Sequence, residues 1–223
     1  MAAYFGPGLF AFLSALAAHN DRDWFQANRE RYVADVEAPM LRFISDLAPR
    51  LAEISPAFVV DRRRVGGSMH RIHRDTRFSP DKSPYKTHVS AVFRHAERKR
   101  APAVPGFYMH LQAGDCMGGG GIYHPHSGTL TRIRLAIAEQ PSAWALVRNS
   151  RIEILGDTLK RAPAGFSPMH PSIEDLRRKD FYALVPFSEA EVCGDDFLDR
   201  YVDACRQVAP LVAFLTRALG WRW

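Results

Sequence analysis

The sequence is short of cysteine and lacks the compact signatures that announce a reaction. Its three cysteines, Cys116, Cys193 and Cys205, are an odd number with no C-x-x-C spacing. That argues against a disulfide framework and against a zinc ribbon, and leaves reduced, partly buried thiols as the expectation. No apolar run approaches the roughly 18 residues needed to span a bilayer. The stretch from Leu9 to Ala18 is too short, has no basic flank and runs into His19-Asn20-Asp21, so no membrane contact and a cytoplasmic location are expected. There is no Walker loop, no G-x-S-x-G and no H-E-x-x-H. His70-x-x-His73 and His124-x-His126 stand without further metal-ligand partners, so no metal site and no cofactor is assigned.

What the chain does have is core-forming material and a localised charge. Of its 223 residues 47% are hydrophobic, enough for a folded globular domain. The net charge is +6 with a pI near 9.5. Between Asp61 and Arg100 there are 12 lysines and arginines against 4 aspartates and glutamates, whereas the rest of the chain carries 18 against 20. All the excess therefore sits in one segment, which suits an anionic partner. At its ends, Arg62-Arg63-Arg64 and Arg98-Lys99-Arg100 also read as solvated loop charges.

The pattern changes twice along the chain. Helical spacing of Leu9, Leu13, Leu16 and Ala17 predicts a first helix after Pro7, with Asn20 or Asp21 capping a second from about Asp23 to Ala34. A third is expected from Pro39 to Ile54, kinked or split at Pro49. From Phe58 the runs become short and β-like: 58–60, 69–74, 87–93, 107–113 and 116–123, with Gly114-Asp115 as a tight turn. Alternation places Val89, Ala91, Phe93, Phe107, Met109 and Leu111 on one face, and His88, Ser90, Arg94, Tyr108, His110 and Gln112 on the other. Helices are expected again from Ser127 to Glu139 and from Pro141 to about Asn149. A loop rich in glycine and proline follows over 152–171, then a short basic helix capped by Ser172, a strand over 181–187 and a final helix from Asp195 with a kink at Pro210. With no repeat and no linker, the whole chain reads as one α+β domain: helical over 7–54, a central antiparallel or mixed sheet over 58–123, and helical with one further strand over 127–223.

The segment 68–88 has the composition of a site. It concentrates Arg71, His73, Arg74, Asp75, Arg77, Lys82, Ser83, Tyr85, Lys86 and His88 in a stretch interrupted by two prolines. On a strand, Arg71, His73 and Asp75 share one face, so Asp75 could orient His73 as an acid/base pair; an ion-paired strand is the structural alternative. The loop after it lacks the glycines of a phosphate-cradling turn, so anion binding would fall to side chains: the forks of the arginines, the point charges of Lys82 and Lys86, and the hydroxyls of Ser83 and Tyr85. Asp81 is expected to fix a neighbouring cation. Four glycines, 118–121, fill no core, so either a helix or a ligand approaches that backbone, with Gly119, Gly120 and Tyr123 as ligand candidates. Lys160-Arg161 and Arg177-Arg178-Lys179 read as an outer basic surface.

Together, His19-Asn20-x-Arg22-x-Trp24-Phe25, Arg71-Ile72-x-Arg74-Asp75-x-Arg77-Phe78-Ser79-x-Asp81-Lys82-x-Pro84-Tyr85-Lys86 and Gly119-Gly120-Gly121-x-Tyr123-x-Pro125 resemble the family known as domain of unknown function 2461. The downstream pieces around Leu159-Lys160, Leu176-Arg177 and Ala218-Leu219-Gly220 fit the same pattern. The resemblance implies one domain along nearly the full chain and carries no catalytic roles. The leading expectation is a basic pocket for a phosphate-bearing small molecule, with His73 and Asp75 as the acid/base candidates if a reaction occurs there. A nucleic-acid-binding module is one rival, and a scaffold whose arginine, aspartate and lysine array is an internal ion-pair network is the other.

Overall fold

Pro7 opens the first helix, α1 (Pro7–Ala18), in the first turn, where a missing N–H costs no intrahelical hydrogen bond. The computed structural model describes residues 3–99 and 103–223, for 98 and 99 the backbone alone; the side chains of the 98–100 basic run therefore lie outside the described residues. Asp21, not Asn20, caps α2 (Arg22–Ala27), accepting the Trp24 N–H at 2.8 Å. The periodicity predicts one helix to Ala34, but the chain pauses at Asn28, whose side-chain amide donates to the Trp24 carbonyl at 2.9 Å. It resumes as α3 (Arg29–Tyr32), widens into a π-turn over Val33–Glu37 and enters α4 (Ala38–Ile54). The widening immediately precedes Pro39, whose ring would otherwise meet the carbonyl four residues back. α4 then runs unbroken through Pro49, held by a buried stripe of Met40, Phe43, Ile44, Leu47 and Leu51.

The centre is a four-stranded antiparallel sheet in the order β1-β2-β3-β4: β1 (Val89–Arg94), β2 (Gly106–Gln112), β3 (Asp115–Ile122) and β4 (Phe181–Phe187). The β2–β3 turn is Ala113-Gly114, one residue earlier than the sequence suggests, because Gln112 pairs with Asp115 and Gly114 takes the positive φ of +74°. Between β3 and β4 the chain makes α5 (Ser127–Glu139), α6 (Pro141–Asn149), an irregular loop and α7 (Ile173–Leu176). α7 is acidic, not basic, since the arginines follow it. After β4 come α8 (Glu189–Val192), closed by a Ser188/Glu191 capping box, and α9 (Phe197–Ala218), which contains Pro210 without a break.

Pairing fixes the two faces of the sheet. Val89, Leu111, Cys116 and Phe187 lie in one row, Ala91, Met109, Gly118 and Val185 in the next, and Phe93, Phe107, Gly120 and Ala183 in a third. α9 lies across this apolar face, and a Cβ at Gly118 or Gly120 would come within 2.8 Å of Tyr201 or Val212. Two of the four glycines are thus explained by close packing of a helix. The opposite face carries Ser90, Val92 and Arg94 beside His110, Tyr108 and Gly106.

Beyond β1 the segment 68–86 adds a ragged edge. Met69 bridges Ala91, the His70 N–H donates to the Ser90 carbonyl, and the Val92 N–H donates to the Ser68 carbonyl, both at 2.9 Å. The chain then folds on itself, with Arg74 N–H to the Pro84 carbonyl at 2.9 Å and Lys86 N–H to the Ile72 carbonyl at 2.8 Å. The strand expected over 69–74 exists only as these bridges, because Pro80 and Pro84 can donate to no ladder. The run 58–60 likewise contributes a single bridge, Phe58 to His95.

Candidate functional site

The sheet face opposite α9, open to two concavities, gathers polar side chains. His70 Nδ1 lies 3.1 Å from Ser90 Oγ, and the Tyr108 hydroxyl lies 3.1 Å from His110 Nδ1. The His88 and His110 rings meet with centroids 4.4 Å apart. Ser90 is only 2% exposed, so its hydroxyl depends on protein partners. His110 Nε2 is buried without a hydrogen bond, with Asp115 Oδ2 3.8 Å away. Two concavities flank this floor. One, of 640 Å³, runs from His70 over Val92 and Tyr108 to Tyr123, His124 and Tyr182. The other, of 390 Å³, lies at the hairpin, among Asn20, Arg74, Asp81, Lys86 and His88.

Burial and like charge act together here. The His70 imidazole is pushed down to about 4, first by burial and then by Lys86 and Arg94. His88 is pushed down to about 4 as well, by burial, His110, Lys86 and His70. Burial also lowers His110, against the pull of Asp115. Lys86 itself is lowered, by burial and then by the neighbouring Arg71. The face therefore holds neutral imidazoles beside cations at neutral pH, and a neutral imidazole can accept a proton from a hydroxyl or a water.

The ten site residues of the 68–88 segment separate into two groups. Arg74 pairs with Asp81, Arg77 takes Asp75 through two nitrogens, and Lys82 donates to the Thr76 carbonyl at 2.9 Å. Ser83 donates to Asp81 at 2.6 Å, so Asp81 gathers the hairpin around itself and is held well below the carboxylate range by Ser83 and Arg74. Asp75 turns to Arg77, and no ion pair joins it to His73. The exposed His73 ring lies 5.1 Å from Tyr85 and 6.3 Å from Phe25. Tyr85 is a core residue, 5% exposed and stacked on Phe25 at 4.1 Å. Arg71, Lys86 and His88 form the second group: among the described residues, no carboxylate forms an ion pair with Arg71 or Lys86, and His88 lies beside Lys86. Gly119 packs against the backbone of β4, Gly120 touches both Val212 and the cleft, and Tyr123 stands 63% exposed at the cleft rim.

Sequence reasoning did not place His70, Ser90, Tyr108 and His110 in the site, although their alternation along two strands was legible. It also read Asn20 only as a cap. Its side chain instead accepts the Tyr85 N–H and donates to the Tyr85 carbonyl, both at 3.0 Å, standing in for a strand partner. With His19 stacked on Trp24 at 5.9 Å and Phe25 on Tyr85, the stretch 19–25 props up the hairpin. Farther away, Arg177 pairs with Glu174, while Arg178 donates to the Ile154 carbonyl at 2.6 Å and pairs with buried Asp175.

Among the described residues no group of three histidines, cysteines or carboxylates could hold a metal, and no helix is long and apolar enough to cross a membrane. No curated protein and no solved structure matches the chain significantly. The family model described as conserved hypothetical protein, DUF2461, matches residues 8–214. That span contains the hairpin, the glycine strand and the open face, and the chain belongs to the DUF2461 family.

Proposed function

We propose that the protein binds a phosphate-bearing small molecule on the open sheet face, with Lys86 and Arg71 as the partners of the phosphate and His70 and His88 beside them. One observation carries this reading: Lys86 is half-buried and close enough to Arg71 to be disfavoured by its charge, and among the described residues no carboxylate forms an ion pair with either, although Asp75 lies near enough to feel the charge of Arg71. A protein interior normally neutralises such a cation. Two other cations of the hairpin are neutralised, Arg74 by Asp81 and Arg77 by Asp75, and Lys82 is turned to the Thr76 carbonyl. For those residues the ion-pair-network reading is the better one, which narrows the binding role to Arg71 and Lys86. A dianion placed between them would relieve their repulsion and accept charge-assisted hydrogen bonds, worth about 1.5–3 kcal/mol each.

The test is a binding titration of phosphorylated small molecules against the protein and its variants. Lys86→Ala should weaken binding by about 10- to 100-fold, from that same hydrogen-bond range. Arg77→Ala, at an exposed pair, should leave it unchanged. Unaltered affinity in both Lys86→Ala and Arg71→Ala would refute the assignment. A nucleic-acid interface would instead show binding only to oligonucleotides, falling steeply as salt rises.

A further inference from the structure

The 640 Å³ cleft lies within the roughly 300–1,000 Å³ typical of small-ligand sites, and it adjoins the anion position. Side-chain contacts link the two: His88 lines the hairpin concavity with Lys86, its ring lies 4.4 Å from that of His110, and His110 Nδ1 lies 3.1 Å from the hydroxyl of Tyr108 in the cleft. Besides Arg94 and three histidines, the cleft wall is aromatic and apolar. Val92 and Leu184 line it together with Tyr108 and Tyr182, and Tyr123 and His124 join them. Tyr123 meets Tyr182 edge-on at 5.7 Å and lies 3.9 Å from the His124 ring, centroid to centroid.

The rim is fixed in place. His124 holds a φ of +47°, a left-handed conformation uncommon outside glycine. Its N–H donates at 2.7 Å to Asp180, a carboxylate only 2% exposed, which also accepts the Asp157 N–H at 3.3 Å. A buried carboxylate thus anchors the corner from which Tyr123 projects. An exposed tyrosine kept in a fixed position beside two more tyrosines is a ready stacking surface, and base-on-aromatic stacking is worth about 1–3 kcal/mol.

We propose that the ligand carries a planar aromatic group as well as its phosphate, as a nucleoside monophosphate does, and that the aromatic group occupies this cleft against Tyr108, Tyr123 and Tyr182. This rests on the anion site at Lys86 and Arg71 proposed above. A polymer is disfavoured because the arginines that would extend a cationic track along the hairpin, Arg74 and Arg77, are occupied by Asp81 and Asp75.

Calorimetric titration with inorganic phosphate, ribose 5-phosphate and adenosine monophosphate separates the two claims. Adenosine monophosphate should bind at least about tenfold more tightly than ribose 5-phosphate, the lower end of the stacking range. Tyr123→Ala, at an exposed position, should abolish that difference and leave the ribose 5-phosphate affinity as it was. Equal affinities for the two sugar phosphates in the unmodified protein would overturn the aromatic cleft and leave the anion site standing. Failure of all three compounds to bind would overturn both. A single-stranded oligonucleotide binding more tightly than adenosine monophosphate would overturn the small-ligand assignment.

Discussion

His70 and His88 show how a side chain's surroundings set its chemistry. Each imidazole is half-buried beside Lys86, and each is held near 4 where the ordinary value is 6.5. The consequence for stability has a definite sign. Unfolding releases both rings to 6.5, so between 6.5 and 4 the unfolded chain binds more protons than the folded one, and acid favours unfolding. Melting temperature should therefore fall as pH drops from about 6.5 toward 4, with little contribution from these rings above 7. Replacing both by glutamine should flatten that part of the profile. An unchanged slope in the double variant would show that other groups set it. At this scale the sequence was partly legible. It singled out Lys86, Arg71 and His88 together with Arg74, Arg77 and Lys82, and charge alone could not separate them, because the aspartates that take Arg74 and Arg77 and the carbonyl that takes Lys82 become visible only when the hairpin closes. Asp75 illustrates the limit: two residues from both His73 and Arg77, it goes to Arg77, whose fork can take both of its oxygens.

At the scale of elements, β3 and α9 are matched by what β3 lacks. Gly118 and Gly120 face the helix, where Tyr201 and Val212 occupy the space that side chains would need, whereas Gly119 and Gly121 are pressed by the backbone of β4. Glycine in a strand interior is unfavourable on its own, so these positions are retained for close approach. Gly118→Ala should lower stability by about 1–3 kcal/mol through overpacking against Tyr201 and Phe187, measured by denaturant unfolding. A change below about 0.5 kcal/mol would mean that Tyr201 moves aside freely. The glycine run announced a close approach in the sequence, but not what approaches; that depends on a helix some eighty residues later in the chain. Strand alternation was more informative, since the register places the residues of β1 and β2 on the face their polarity suggests, with Val92 the exception. The helix pause at Asn28 and the π-turn before Pro39 were not legible, because helical spacing continues across both.

Across the whole molecule, the basic segment becomes a smaller and more specific feature than its composition suggests. Arg63 and Arg64 close on Asp61 and Glu37, Arg74 and Arg77 close on the two aspartates of the hairpin, Lys82 turns to a backbone carbonyl, and what remains is a short cationic ridge at the edge of a histidine-lined floor. Three distant stretches build that floor and its supports. Asn20 and Phe25 hold Tyr85, the hairpin presents Lys86, and the strand of glycines leads into Tyr123 at the cleft rim. Such an arrangement links anion binding to protonation. Burial is the main cause that keeps His70 and His88 neutral and the charge of Lys86 adds to it; an anion beside Lys86 offsets that second part, so the imidazoles should gain protons when it binds.

Sulfate is the probe that isolates this coupling, since it is tetrahedral and doubly charged throughout the relevant range. Its affinity should be measured by calorimetry at pH 7.5 and 5.5, in the unmodified protein and in Lys86→Ala. Because burial stays in place, binding raises a histidine only part of the way from about 4 toward its ordinary 6.5, and affinity should rise at the lower pH by less than the roughly tenfold that a full return would give. In Lys86→Ala the affinity should be weak at both. Sulfate binding that is independent of pH and indifferent to the loss of Lys86 would contradict an anion site on this face.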